Sequence, residues 1–309
     1  MSSTKTLTIF AASGVETRRA HLRRACRRLQ AMGYEVTEDE STRLRHQRFA
    51  GDDSQRLAAL HRVADAAPAV ALACRGGYGI TRLLDGIHWR RLQRSVERGT
   101  RWIGYSDLTA LSLALLAHTG AGSWHGPMAS EDFGRKRGED PEVDEANDIT
   151  CETFDQAMSG SLEAVGFRTA RGRDGFCATG TLWGGNLSMI CSLLGTSHLP
   201  RVKGGVLFLE DVGEHPYRVE RMLLQLAQAG ILAQQRAVLL GQFSAWKPSP
   251  LDRGYALKQV WERVGQACPK TPLLTGLPVG HVPLNMALPQ GRKVKLQVEG
   301  STAYLFFDV

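Results

Sequence analysis

Ala69-Val70-Ala71-Leu72-Ala73 runs straight into Cys74-Arg75-Gly76-Gly77-Tyr78-Gly79. An unbroken apolar run of this length reads as a strand covered on both faces, and the glycine-rich turn behind it marks the strand's C-terminal edge. Upstream, Asp52 or Asp53 can cap a helix carrying Leu57, Leu60, Val63 and Ala64, which Pro68 stops. Further out, Thr6 to Ala11 predicts a first strand, an arginine-rich helix ends at Gly33, and Tyr34 to Thr37 predicts a second strand. Downstream come a polar helix, a strand at Trp102-Ile103-Gly104, a helix over Asp107 to His118 with Leu108, Leu111 and Leu115 on one side, and a strand at Gly122 to His125. Strands alternating with helices imply a parallel sheet flanked by helices, an α/β unit.

The pattern changes after residue 158. Glu131 to Asp148 is charged and weakly periodic, as a surface segment would be, and the Gly-, Arg- and Ser-rich stretch from Ser159 to Cys177 reads as a crossing between domains. The division is 1–158, a linker over 159–177, and 178–309. In the last part, Ala178 to Trp183, Gly205 to Leu209 and Ala237 to Phe243 predict strands, Tyr217 to Ala229 predicts an amphipathic helix, and Val294 to Val309 predicts a hairpin turning at Glu299-Gly300. This is a smaller mixed sheet or barrel with few helices.

With 309 residues, 43% hydrophobic and 22% charged, the chain has ordinary globular composition and excludes disordered, collagen-like and coiled-coil classes. No apolar run approaches the ~20 residues that span a bilayer, and Leu7 to Ala12 is too short for a secretory segment, so a cytoplasmic protein with no membrane partner is expected. The six cysteines form no CxxC pair and are expected to be reduced, mostly buried thiols. Lys and Arg exceed Asp and Glu by 38 to 31, a net charge of +7. Much of the early excess, Arg18, Arg19, Arg23, Arg24, Arg27 and Arg28, interleaves with Leu22, Cys26, Leu29 and Met32 at helical spacing. The arginines are therefore read as a solvated face and no nucleic-acid partner is expected, since no aromatic interleaving or known module accompanies them.

Gly104-Tyr105-Ser106-Asp107 places a serine between a predicted strand and a helix, where a nucleophile becomes exposed and helix N–H groups can receive an oxyanion. Leu108 departs from the G-x-S-x-G elbow, and Ser106 or Asp107 could equally be a helix cap. The turn at Gly76-Gly77 could bring the Gly77 N–H beside Ser106. As a phosphate loop it lacks both the Walker Lys-Ser/Thr and G-x-G-x-x-G. Arg75 can bind a substrate carboxylate or pair structurally. Among nine histidines, His281 in Leu277-Pro278-Val279-Gly280-His281 sits on a rigidified turn suited to hold a base, with His125 the runner-up, read as structural at the sheet edge. Glu210, at the end of Val206-Leu207-Phe208-Leu209, can orient an imidazole. Asp211, Glu214 and His215 raise a metal alternative whose spacing matches no H-E-x-x-H or EF-hand pattern, and carboxylates here also suit the dipole of the helix beginning near Pro216.

Arg75-Gly76-Gly77-Tyr78-Gly79, Gly104-Tyr105-Ser106-Asp107, Gly184-Gly185-Asn186-Leu187, Leu209-Glu210-Asp211-Val212-Gly213-Glu214-His215-Pro216 and Gly280-His281, in this order, resemble the LD-carboxypeptidase family. Phe49-Ala50-Gly51, Gly180-Thr181-Leu182-Trp183 and Arg218 to Leu224 extend the likeness along the chain. Ala11-Ala12-Ser13-Gly14 departs from it, because the family usually has proline before that serine. The resemblance implies a flavodoxin-like or amidotransferase-like first domain and a swivelling, β-barrel-like second domain. It implies a triad of Ser106, Glu210 and His281, an oxyanion hole from the backbone of Gly77 and Asp107, a homodimer, and no cofactor or metal. Arg75, Trp183 and Asn186 are expected to contact substrate. The implied activity is that of a serine carboxypeptidase releasing terminal D-alanine from murein tetrapeptides during cytoplasmic peptidoglycan recycling, and a basic surface suits such anionic substrates. A microcin-type peptidyl-nucleotide hydrolase of the same family, a non-catalytic cell-wall-peptide binder and a metal-dependent amidase at Glu210 to His215 are the alternatives.

Overall fold

The computed structural model describes residues 5–135 and 141–307. Its contacts divide the chain into two units, the first made of 1–161, 197–200 and 283–288, the second of 162–196, 201–282 and 289–309. Each unit draws on discontinuous stretches, which the sequence reading, with its single crossing, did not foresee.

The first unit is a parallel sheet wound with helices. Its elements are β1 (Lys5–Phe10), α1 (Arg19–Ala31), β2 (Tyr34–Glu38), α2 (Asp53–Ala66), β3 (Val70–Ala73), α3 (Trp89–Glu97), β4 (Arg101–Ile103), α4 (Leu108–Thr119), β5 (Ser123–His125) and α5 (Pro141–Ser159). The order β5-β4-β3-β1-β2 is all parallel, the flavodoxin-like arrangement in which ligands collect outside the strands' C-terminal ends. Asp52 caps α2 through a reciprocal box with Gln55, and α2 ends at Ala67 in the left-handed region, φ 47°, before Pro68. From Leu108 to Leu115 every α4 side chain is buried, so this helix is covered all round and not on the single expected face. A fully buried leucine contributes about 2 kcal/mol by removing apolar surface from water, which makes α4 a fixed post beneath its own N-terminus.

Two expectations need correction. On α1 the buried stripe is Leu22, Ala25 and Leu29, with Cys26 half-buried, and the arginines are only partly solvated. Arg24 Nε donates to the Gly134 carbonyl at 2.8 Å, and Arg18 pairs with Glu131 at 2.6 Å, because the turn Ala129–Phe133 packs on α1. The segment from Glu131 to Asp148 is accordingly not all surface, since Asp132 and Phe133 are buried. Residues 136–140 of it lie outside the described residues.

The second unit contains β6 (Ala164–Arg168), β7 (Cys177–Asn186), α6 (Leu187–Ser192), β8 (Val206–Val212), α7 (Pro216–Gln228), β9 (Ala237–Ser244), α8 (Leu257–Ala267) and β10 (Leu273–Thr275). Residues 283–288 then return to the first unit, ending where β11 (Leu288–Gln290), the strand beside β5, begins. The hairpin β12 (Lys293–Glu299) and β13 (Thr302–Phe306) completes the second sheet, ordered β10-β9-β8-β7-β12-β13-β6. The strands from β10 to β7 are parallel, and those from β7 to β6 antiparallel. Just past β6, Thr169 Oγ1 accepts the Thr275 N–H of β10 at 3.2 Å. The stretch read as linker thus holds an edge strand.

Candidate active site

In the first unit, loops leaving β1, β3 and β4 converge at the sheet's C-terminal edge. The Gly14 N–H donates to the Gly76 carbonyl at 3.1 Å, joining the first two loops. The third presents Ser106, half-buried, with φ of +60°. A serine in the left-handed region costs on the order of 1–3 kcal/mol and persists only where its surroundings dictate it. Here they do. Tyr105 before it and Asp107 after it are 1% exposed, and the Leu108 N–H closes the turn on the Tyr105 carbonyl. A Cβ on Gly76 would lie 2.8 Å from Ser106 Cβ and 2.9 Å from its Oγ, so glycine is required for this approach.

The Asp107 carboxylate turns away from solvent and accepts the Ile80 N–H at 3.0 Å. It thereby fastens the far end of the glycine loop to the residue next to Ser106, and burial pushes its pKa up. Among the described residues no protein acceptor takes the N–H of Gly77 or of Asp107. Beneath the loop, Arg56 of α2 is fully buried, donating to the Ala12 carbonyl at 2.9 Å and stacking 4.6 Å over Phe49.

In the second unit, His281 Nδ1 lies 2.9 Å from Glu210 Oε2. Glu210 is fully buried, and the register between β8 and β9 shifts around it, between Leu209 and Asp211. Such an irregularity re-aims a side chain out of the strict alternation of a strand. The His281 loop is held from β9: the Gln242 N–H donates to the Val279 carbonyl at 3.0 Å and Ser244 Oγ to the His281 carbonyl at 3.1 Å. Gly280, φ +128°, lets the loop press on the acid, since a Cβ there would meet Glu210 Oε2 at 3.1 Å. An imidazole whose Nδ1 faces a buried carboxylate presents Nε2 as a base.

The family descriptions of the LD-carboxypeptidase N-terminal domain and C-terminal domain match residues 7–126 and 179–296. The chain belongs to the LD-carboxypeptidase family. A probable murein peptide carboxypeptidase of Bacillus subtilis is 32% identical, covering 90% of this chain and 84% of that protein. The crystal structure of a muramoyltetrapeptide carboxypeptidase from Oxalobacter formigenes superposes with a TM-score of 0.86 at 36% identity, over 98% of each chain. The microcin C7 self immunity protein shares the fold, with a TM-score of 0.84 at 20% identity over 99% of this chain and 97% of its own.

Within this LD-carboxypeptidase chain, the three residues expected to contact substrate each make structural hydrogen bonds. Trp183 is 1% exposed in the core of the second sheet, its indole N–H donating to Gln235 Oε1 at 3.0 Å. Asn186 caps α6 by accepting the Met189 N–H, and its amide donates to Asp211 at 2.9 Å. Arg75 donates to the Val15 carbonyl at 3.0 Å and lies 3.6 Å from Glu131. Burial favours the neutral acid, yet Arg18, with Arg75 and Arg135, holds the Glu131 carboxyl below its usual range.

The groups of the 210–215 cluster go to separate partners: Glu210 to His281, Asp211 to Asn186 and Ser188, Glu214 to Arg218, and His215 to Asp252. His125 is fully buried in β5 beside Tyr105. The sequence reading missed the Asp107 carboxylate as a tie, Gly76 as the glycine against Ser106, and Gln242 and Ser244 as braces. Only the glycine carried a local signal.

Proposed function

We propose that this chain is a serine LD-carboxypeptidase that releases the terminal D-alanine from murein tetrapeptides, free or attached to muramic acid or its nucleotide-linked precursor. The observation that carries the reading is Ser106 held at φ +60° on a strand-to-helix turn, with a glycine loop against its hydroxyl. The relatives' names point to the same substrate.

In the proposed reaction His281 takes the Ser106 proton as Oγ attacks the carbonyl that joins an L-configured centre to D-alanine. Glu210 holds the ring and stabilises the imidazolium. The N–H groups of Gly77 and Asp107 receive the oxyanion. The imidazolium returns its proton to the departing D-alanine amine, and water, activated by the same ring, cleaves the acyl ester. A homodimer working in the cytoplasm without a cofactor belongs to the same proposal.

The test measures D-alanine release from an L,D-linked tetrapeptide by wild type and by Ser106→Ala, His281→Ala and Glu210→Ala. Losses of about 10³-fold or more at Ser106 and His281, with multiple variants no worse than the worst single one, are expected of groups acting as a unit. Turnover retained by folded Ser106→Ala would overturn the nucleophile assignment.

A further inference from the structure

Away from the Ser106 edge, the first unit carries a second constellation. The Trp89 indole at the start of α3 stacks on the His118 imidazole, with centroids 4.9 Å apart and planes at 10°. His118 Nε2 lies 2.9 Å from His198 Nδ1, and His198 Nε2 lies 3.1 Å from Asp85 Oδ1. An apolar pair would pack as well against an indole, so packing alone does not call for two hydrogen-bonded imidazoles. Nor does the reaction at Ser106, because His118 lies ten residues along α4 from Leu108, about 15 Å down the helix.

The stack forms one wall of a cavity of about 630 Å³, within the range of small-ligand sites. Arg90 and Arg94, one turn apart on α3, line it too. Among the described residues neither guanidinium has a hydrogen-bonding or ionic partner, whereas their neighbour Arg91 lies 3.6 Å from Asp65. The one carboxylate in the lining, Glu97, accepts the Gln93 amide at 3.0 Å. A second hollow of about 440 Å³ is again lined by Trp89, Arg90 and Arg94, with His88 and Arg91. Trp89 therefore lines both concavities together with the same pair of cations.

We propose that this is a binding site for a small phosphorylated ligand bearing a planar ring, of the nucleoside diphosphate class. Arg90 and Arg94 take the phosphates in charge-assisted hydrogen bonds, and the ring lies against the Trp89 edge of the aromatic wall. Two unpaired guanidiniums would serve any anion; the Trp89 and His118 rings that line the same cavity are what select a ring. The His118–His198–Asp85 chain fixes the imidazole's orientation behind the indole.

The experiment is titration calorimetry on the full chain at low salt with ADP, pyrophosphate and adenosine, for wild type, Arg90→Ala/Arg94→Ala and Trp89→Leu. ADP is expected to bind one per chain, about tenfold or more weakly to the arginine double variant. Adenosine is expected to bind more weakly than ADP. Trp89→Leu is expected to weaken ADP while leaving pyrophosphate unchanged. Arg90 and Arg94 are exposed, so their double variant keeps the fold even if Trp89→Leu does not, and its D-alanine release stays at the wild-type level. The proposal is overturned by no ADP binding to wild type, or by binding that ignores the arginines. It is equally overturned by an oligonucleotide that binds more tightly than ADP, or by sedimentation showing this face covered by a second copy whose association Arg94→Glu abolishes.

Discussion

Gly76 and Ser106 are packed so closely that the hydroxyl rests where a side chain on residue 76 would have to be, 2.9 Å from that absent Cβ. Both come from loops at the same sheet edge. Gly76→Ala is therefore expected to displace Ser106 by a fraction of an ångström or more, and displacement on that scale costs about 10² in rate. Steady-state D-alanine release, with circular dichroism confirming the fold, checks this. Activity within twofold of wild type would show that the contact is not a constraint.

The left-handed backbone at Ser106 predicts a trade between stability and activity. Ser106→Gly removes the strain at φ +60° and is expected to raise unfolding free energy by about 1 kcal/mol while abolishing turnover. Urea midpoints of the two proteins, at equal slope, report it.

The pair Glu210 and His281 predicts a difference between two replacements of the acid. Glu210→Gln keeps the shape but cannot stabilise the imidazolium, and kcat is expected to fall by about 10³ to 10⁴ with little change in stability. Glu210→Ala is expected to lose, in addition, about 2–4 kcal/mol of stability, because it opens a hole in a fully buried position. Activity assays beside chemical denaturation separate the two effects.

The Asp107 carboxyl, raised by burial, titrates at higher pH when folded than its ordinary value of 3.8. The folded chain then holds a proton that the unfolded chain has released. Stability falls as pH rises from that ordinary value toward the folded one, by up to about 1.4 kcal/mol per pH unit. Asp107→Asn, which can still accept the Ile80 N–H, removes this slope. Denaturation curves collected across acid to neutral pH should converge toward the variant's favour as pH rises; parallel curves would refute the assignment.

The cysteines should react in a fixed order. Cys177 is exposed on β7, whereas burial pushes Cys74 and Cys191 up to about 12 and Cys26 and Cys151 to about 11. A thiol reagent at pH 8 followed by mass spectrometry should label Cys177 first and Cys74 last, after unfolding.

Local pattern carried most of the architecture. Val70 to Ala73 and Val206 to Leu209 read as buried strands because an unbroken apolar run has few other fates, and Gly33, Asp52 and Pro68 punctuated the two helices that precede the first of them. The edge strand Ala164–Arg168 escaped notice, since glycine and arginine in and around it imitate a connection. Arg56 gave no sign of being buried, because a residue type does not announce the carbonyl waiting for it 44 positions away at Ala12.

For the site, the sequence offered Ser106, Glu210 and His281 as candidates because each lies on a turn or strand end where hydrolytic chemistry can reside. Direction was another matter. Whether Trp183 faces substrate or core, whether Arg75 is spare or already tied to Val15, and which glycine touches the serine all depend on contacts between segments far apart in sequence. Such contacts form when strands pair and loops meet at a shared edge. Periodicity and propensity, which act over a few neighbouring residues, do not encode them.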